Sequence, residues 1–194
     1  MGFDLQMVRA PASADIQELP NSGGVPGYYR FNTWGMKLTL GALEWADAIH
    51  YAQAPTFPPF PPAGVDVDRA YAALERVNVG PDDETYDDTE GDDPPTDAEI
   101  AAVRIYKAAR DAVAEASSII DGQVGAYKLV TNDAWLVTPE ECRILAARLR
   151  EHVELIARDF FPDAGVSVED GRTWLLGFAR YNELAAEHGG YRVY

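Results

Sequence analysis

Two short segments of the sequence place amide, carboxylate and indole groups directly before stretches of helical periodicity. The first holds Asn32 and Trp34, and the second holds Asn132, Asp133 and Trp135. Polar groups beside helix N-termini can bind an anion or a polar ligand, because the first backbone N–H groups of a helix have no partner inside it. In such a pocket Asp133 could act as a general base, and Asn132 could orient a carbonyl group or a water molecule.

The same five residues also have a structural interpretation. Asn and Asp cap turns and helix N-termini, and tryptophan fills gaps in a core. The two interpretations differ in geometry. A pocket requires the side chains of Asn32 and Asp133 to lie within about 8 Å of each other across one cavity, a span that a small ligand can bridge. Caps have no such requirement.

Other residue types that carry chemistry are sparse. Cys142 is the single cysteine, so an intrachain disulfide and a cysteine-built zinc site are excluded. It falls on the apolar face of a predicted helix, where it acts as a small buried residue. His50, His152 and His188 are far apart in the sequence, each near a predicted helix end. No nucleophile-elbow, P-loop, dinucleotide-binding or zinc-protease spacing occurs. We therefore predict no catalytic residue, no metal and no cofactor, while enzymatic activity stays an open question.

The charge of the chain restricts its partners. The formal net charge is −16 and the pI is about 4.4, so nucleic acid is repelled in the absence of a basic patch, and the sequence shows none. Ten of the 32 carboxylates lie between Asp82 and Glu99. We expect no nucleic-acid partner, and the acidity favours a basic protein as the partner. The sequence leaves the oligomeric state open.

Composition and length predict a single domain over residues 1–194, interrupted by two biased segments. Five prolines between positions 55 and 62 forbid a helix and predict a stiff extended connector over 54–63. Residues 80–96 hold many carboxylates and no basic residue, so their charges repel and little apolar surface can be buried. We expect this acidic loop to be disordered.

Apolar periodicity predicts five helices, and strand-like composition marks three short segments. Thr138-Pro139-Glu140-Glu141 is the clearest helix start, because it combines an N-cap, a proline at the first helical position and a glutamate three residues after the cap. The helices are expected at about 37–51, 66–77, 96–118, 138–159 and 170–188, and the strands at about 1–8, 126–130 and 191–194. We predict a mostly α fold, a compact bundle of about five helices with a few short strands, with α+β as the alternative.

The sequence contains no apolar run near the roughly 18 residues that span a bilayer. The first ten residues also lack the basic and then apolar pattern of a signal peptide. We therefore expect a cytoplasmic protein with no membrane partner.

Four pieces of the chain read Met1-Gly2-Phe3-Asp4, Tyr28-Tyr29-Arg30-Phe31-Asn32-Thr33-Trp34, Thr131-Asn132-Asp133, and Phe178 to Tyr191. In order and spacing these pieces resemble an uncharacterised family of short phage and bacterial proteins. That family begins with Met-Gly-x-Asp, continues with Tyr-Phe-Arg-x-Asn-x-Trp and Ser-Asn-Asp segments before helices, and ends with Gly-Gly-aromatic. The family's run of tryptophans is reduced to Trp34, and residues 54–95 look like insertions. The resemblance implies a shared fold and a phage origin, and it carries no activity.

Two functional hypotheses follow. The first is a non-catalytic, phage-derived interaction protein that binds and modulates a host protein. Tyr28, Tyr29, Phe57 and Phe60 lie outside the predicted helices and are expected to be exposed, and aromatic anchors carry much of the energy of interfaces. The alternative is the small-molecule-binding or hydrolytic pocket built from Asn32, Trp34, Asn132, Asp133 and Trp135. A concave site lined by these five residues favours the pocket, and a flat surface favours the interface.

Overall fold

The computed structural model describes residues 2–10, 25–79 and 94–194, and within these ranges the chain forms six strands and six helices. The strands are β1 (Gly2–Met7), β2 (Tyr28–Asn32), β3 (Ile49–His50), β4 (Val124–Gly125), β5 (Leu136–Val137) and β6 (Tyr191–Val193). The helices are α1 (Thr33–Trp45), α2 (Val67–Val79), α3 (Asp97–Glu115), α4 (Tyr127–Val130), α5 (Pro139–Asp159) and α6 (Val168–Glu187). Most of the acidic loop predicted at 80–96 lies outside the described residues.

Two compact units make up the chain, where the sequence led us to expect one domain. Unit 1 comprises Met1–Ala54 and Glu115–Tyr194, and unit 2, Pro55–Ala114, is inserted between them. From Pro55 onward the proline-rich segment falls in unit 2. Phe60 and Val65 pack against the small core to which α2 and α3 contribute.

Unit 1 contains a four-stranded antiparallel sheet in the order β2-β1-β6-β5. The register places Leu5 of β1 opposite Tyr29 of β2, and both side chains are buried. Their neighbours Gln6 and Arg30 are exposed, so the strands alternate between core and solvent as half-buried strands do. β1 and β6 confirm two predicted strands, whereas β2 was missed within the aromatic segment.

A pair of long antiparallel helices covers the core of unit 1. Arg150 of α5 forms a two-pronged ion pair with Glu183 of α6, with 2.9 Å between Nη2 and Oε2. Between the helices lie the buried side chains of Leu145, Leu149 and Phe178, against which the half-buried Trp174 packs. These four residues were predicted to share one core, and that prediction is confirmed.

One predicted strand, at 126–130, is wrong. The segment forms the short helix α4, because the N–H groups of Leu129 and Val130 donate to the carbonyl oxygen of Ala126, at 2.9 and 3.2 Å. Only β4, which immediately precedes it, pairs as a strand, in parallel with β3.

Helices dominate the fold beside a small antiparallel sheet, an arrangement compatible with both the mostly α and the α+β classes. In unit 2, side chains of α2 and α3 share a small core that contains Ala70, Ala73 and Val103. Arg69 and Glu99, near the two helix starts, form a two-pronged ion pair, with 3.0 and 2.8 Å between donor and acceptor atoms. Among the described residues no helix is both long enough and apolar enough to cross a membrane.

Candidate functional site

Asn32 is the N-cap of α1. Its side-chain oxygen accepts a hydrogen bond from the N–H of Gly35 at 2.7 Å. This bond satisfies one of the helix donors that would otherwise lack a partner, and it starts the helix at Thr33, before the predicted position 37. For Asn32 the structure supports the capping interpretation.

Asp133 and Asn132 lie at the opposite edge of the sheet from Asn32. Asn32 ends the edge strand β2, whereas Asp133 precedes the other edge strand, β5, and the N–H of its neighbour Ala134 donates to Val193 of β6. Three strand spacings of about 4.8 Å separate the two edges, so the backbones are roughly 14 Å apart. Strands β1 and β6 therefore lie between Asn32 and Asp133, which the pocket hypothesis requires to line one cavity.

The two tryptophans of the hypothesis differ in their surroundings. Trp135 is buried, and its ring meets the ring of Tyr127 edge-on with centroids 4.8 Å apart. Trp34 is 52% exposed. The five predicted pocket residues consequently act as a cap, a core aromatic and surface groups, and the structure does not bring them together.

A buried polar network that the sequence did not reveal lies at the start of α5. Glu141 is fully buried, and one carboxylate oxygen accepts hydrogen bonds from the backbone N–H and the hydroxyl of Ser118, at 2.6 and 2.7 Å. The other oxygen accepts from the N–H of Thr138 at 2.7 Å and from Nζ of Lys128 at 2.9 Å. The Thr138 side chain in turn caps α5, so the predicted helix start is confirmed as a capping box.

Lys128 completes this network. Its fully buried Nζ also donates to the carbonyl oxygens of Ala116 and Leu136, at 2.6 and 2.7 Å, so its three protons all have acceptors. Burial lowers the pKa of Lys128, and its bond to Glu141 opposes that shift. Serine, lysine and glutamate can support nucleophilic catalysis, but here the donors and acceptors are used within the fold and lie out of reach of a substrate. The network is structural.

The remaining reactive groups have structural surroundings as well. Cys142 is buried, donates to the carbonyl of Val137 at 3.6 Å, and has a pKa raised above its usual range by burial. His50 contacts the carbonyl oxygen of Ser118 through Nε2 at 2.7 Å and accepts from the N–H of Ala52 through Nδ1 at 3.1 Å. No group of three or more His, Cys, Asp or Glu side chains suited to a metal occurs in the part of the chain that the structure describes.

Trp34 and Trp45 form an exposed aromatic surface on α1. They are 52% and 48% exposed. Their eleven-residue separation is close to three turns, so both indoles lie on one side of the helix, about 16 Å apart along its axis. Trp34 meets Trp174 of α6 edge-on with centroids 6.4 Å apart, and Trp45 contacts Phe160 at 6.2 Å. We refer to Trp34, Trp45, Phe160 and Trp174 as the α1 aromatic surface.

Two glycines of α1 let these rings lie against the helix backbone. A Cβ at Gly35 would come within 2.8 Å of the Trp174 ring, and one at Gly41 within 2.6 Å of the Phe160 ring. Glycine inside a helix costs about 1 kcal/mol relative to alanine, and such a residue marks a close approach. This is the sequence signal that could have located the surface.

Charged residues of both signs lie near the residues of the α1 aromatic surface. Glu154 and Glu169, both strongly exposed, share the single guanidinium of Arg172, two residues before Trp174. Glu44 precedes Trp45, and burial together with a hydrogen bond to Glu44 raises the pKa of Tyr51 to about 12. With Lys37, an exposed residue of α1 one turn after Trp34, the three carboxylates and two cations leave a small negative excess near the rings.

The aromatic residues predicted to form an interface are mostly occupied within the fold. Tyr29 is 0% exposed and belongs to the core, so its predicted exposure is wrong, because it points inward from the alternating β2. Tyr28 is half-buried and donates to Asp4. In unit 2, the ring of Phe57 lies 5.0 Å below the guanidinium of Arg110, and Phe60 forms part of a cavity wall.

That cavity lies within unit 2 and has a volume of about 380 Å³. Phe60 contacts the rings of Tyr71 and Tyr106, with centroids 5.0 and 5.1 Å away. The lining consists of Phe60, Tyr71, Leu74, Asn78, Tyr106, Lys107 and Arg110.

Comparison with known proteins adds no further assignment. No protein-family model, no curated protein and no solved structure matches the chain.

Proposed function

We propose that this chain is a non-catalytic, phage-derived cytoplasmic protein that binds and modulates a host protein, and that it presents the α1 aromatic surface to a basic face of that partner. The observation that carries the proposal is the pair of half-exposed tryptophans, Trp34 and Trp45, on one side of a single helix. Each indole contacts a second aromatic ring, Trp34 that of Trp174 and Trp45 that of Phe160.

Half-exposed indoles held in fixed positions are well suited to protein binding. Tryptophan is enriched among the residues that dominate binding energies, because a large apolar group is removed from water on association. The rings of Trp174 and Phe160 restrict the motion of Trp34 and Trp45 before binding, so little side-chain entropy remains to be lost. Spaced about 16 Å apart, the two indoles can act as separate anchors within one standard interface.

Charge complementarity favours a basic partner. The chain carries a formal net charge of −16. Near the aromatic residues, the carboxylates of Glu44, Glu154 and Glu169 outnumber the two cations, Lys37 and Arg172, by one. A basic surface is steered toward the acidic chain by the long-range field. At contact, Arg and Lys side chains are also attracted to the faces of indole rings.

A non-catalytic role agrees with the condition of the reactive groups. The thiol of Cys142 is buried with a raised pKa, and the carboxylate of Glu141 is fully engaged by its neighbours. Catalytic groups need access to substrate and a pKa suited to proton transfer or attack. Neither group is accessible to a substrate.

The proposal is tested by site-specific photo-crosslinking. A photoreactive phenylalanine analogue replaces Trp34 in one variant and Ile105, a 72% exposed residue of α3 in unit 2, in the control. We expect a host protein to be cross-linked from position 34 and not from position 105. The identified protein is then purified, and its affinity for the wild type, Trp34→Ala, Trp45→Ala and Ile105→Ala is measured by calorimetry at low and high salt.

We expect each tryptophan substitution to weaken binding by about 2 kcal/mol, roughly 30-fold, and Ile105→Ala to leave it unchanged. Salt should weaken binding to a basic partner. Cross-linking from position 105 alone, equal affinities for the four proteins, or an acidic partner would each refute the proposal.

A further inference from the structure

The indoles of Trp34 and Trp174 meet at a right angle within the α1 aromatic surface. Their planes are 87° apart, and the ring centroids are 6.4 Å apart. Because the edge of one indole meets the face of the other, the space beside them is bounded by one face of each ring. Trp34 is half-exposed and Trp174 is half-buried, so both rings of this pair reach solvent. We refer to the pair as the indole corner.

Trp174 is fixed in its orientation by the fold itself. Its Nε1–H donates to the buried hydroxyl of Thr39 at 3.1 Å, and that hydroxyl donates to the carbonyl oxygen of Gly35 at 2.9 Å. The buried ring of Phe31 stacks against the indole, with centroids 5.7 Å apart. The absence of a Cβ at Gly35 lets the indole lie close to the helix. A group that enters the indole corner therefore meets a wall that is already in place.

Two ring faces at a right angle are matched to a planar cation. The face of an aromatic ring is the negative part of its quadrupole, so it attracts cations and N–H donors. A guanidinium that lies flat on one indole directs the N–H groups of its edge at the face of the other. A lysine ammonium has no flat face, and it is more strongly hydrated, so it loses more on leaving water.

Within the described ranges, the chain's own lysines and arginines do not lie over the ring of Trp34 or of Trp174. Lys37 is exposed one turn after Trp34, and Arg172 is engaged by two glutamates. The attraction that the indole corner offers comes from the ring faces, so it does not require a net charge nearby.

We infer that the indole corner binds one arginine side chain of the partner protein, with the guanidinium stacked on one indole and its N–H edge against the other. This inference rests on the proposed function, because it names the group of the basic partner that the α1 aromatic surface receives. Trp45 and Phe160 are tilted by 48° to each other and form no such right angle. They contribute apolar contact instead.

The test uses the full chain and two probes of the same shape, N-acetyl-arginine methylamide and N-acetyl-citrulline methylamide. Their planar end groups differ in charge, and N-acetyl-lysine methylamide supplies the charge without the planar group. Binding is followed by NMR of the indole N–H signals at constant ionic strength. Trp34→Leu removes one side of the indole corner, and Trp45→Leu makes the same change at the other half-exposed indole of α1. Circular dichroism establishes that each variant is folded.

We expect the arginine probe to shift the indole signals of Trp34 and Trp174 saturably. It should bind at least about fivefold more tightly than the citrulline and lysine probes. Trp34→Leu should weaken arginine binding by about fivefold or more, and Trp45→Leu should stay within about twofold of the wild type. Difluorotryptophan at position 34 withdraws electron density from the ring face, so it should weaken binding of arginine and leave that of citrulline unchanged.

Four results would each overturn the arginine site. These are no saturable shift, equal affinity for the arginine probe and either other probe, an equal loss in Trp45→Leu, and arginine binding that is insensitive to fluorination. Failure of the proposed function is distinguishable. A host protein cross-linked from position 34 together with equal arginine and citrulline affinities overturns the arginine site alone. Selective arginine binding together with cross-linking from position 105 alone overturns the proposed function alone.

Discussion

Replacing Lys128 with methionine should destabilise unit 1 strongly, although it removes only a charged end group. The side chain is fully buried, and its Nζ donates to Glu141, Ala116 and Leu136. Without it the Glu141 carboxylate stays in the interior with no counter-charge, and two carbonyl oxygens lose their donor. Removing one partner of a buried ion pair costs about 3–5 kcal/mol, a large part of a typical domain's 5–15 kcal/mol.

A double-mutant cycle separates the charge effect from lost packing. Glu141→Gln keeps the shape of the side chain but leaves Lys128 without its counter-charge, so it should also cost several kcal/mol. In the double variant neither charge is left alone. We expect the sum of the losses in unfolding free energy of the two single variants to exceed the loss of the double variant by about 1.5–3 kcal/mol.

The assay is urea unfolding at pH 7, followed by far-ultraviolet circular dichroism for the wild type, the two single variants and the double variant. The unfolding slopes indicate whether all four lose the same structure. Leu155→Ala, at a 40% exposed position of α5, serves as a control, and we expect it to shift the midpoint little. A loss below about 1 kcal/mol for Lys128→Met, or strictly additive losses, would refute the view that this pair ties α4 to the start of α5.

Three further predictions concern stability. Gly190→Ala should cost about 2 kcal/mol or more in thermal or urea unfolding, because Gly190 has φ +88° and a Cβ would lie 2.2 Å from the carbonyl oxygen of Val137; an unchanged midpoint would contradict this. The pKa of Glu99 is lowered from 4.5 to about 2, and the hydrogen bonds from Arg69 are the largest cause. The ionised Glu99 therefore stabilises the folded state above pH 4.5, and this contribution is lost as the pH falls toward 2. The stability difference between the wild type and Glu99→Gln, from urea unfolding at several pH values, should therefore shrink over that interval, and a constant difference would exclude the linkage. Phe178→Ala, which opens a cavity in the core of unit 1, should cost about 3–5 kcal/mol in urea unfolding, and a loss under 1 kcal/mol would contradict the core assignment.

The functional surface could be predicted only in part. Trp34 was recognised as a candidate binding residue, but it was grouped with Asp133, which lies at the other edge of the sheet. Trp45 lies in the helix predicted at 37–51, on the apolar face that the periodicity assigns to the core, whereas in the structure it is 48% exposed. The predicted helix began at position 37, so the sequence did not place Trp34 on the same helix as Trp45, whereas the structure starts α1 at Thr33. Whether the side that they share is covered depends on how α5 and α6 pack against it.

Local signals determined the elements whose ends and faces are specified within a few residues. Thr138 and Glu141 define the start of α5 through bonds that close within one turn, and the apolar faces of α5 and α6 repeat with the helical period. The alternation of β1 is likewise readable in the sequence. These features depend on neighbours in the chain, so the sequence alone is sufficient for them.

The tertiary structure decided everything that depends on distant partners. β2 is a strand because β1 supplies its hydrogen bonds, and Lys128 is buried because Glu141 and two distant carbonyl groups accept its protons. From the sequence alone a lysine is expected at the surface, because burying its charge costs free energy. The sequence does not show which groups will accept its protons and offset that cost. A residue's chemistry can be read from the sequence, but its exposure follows from long-range packing.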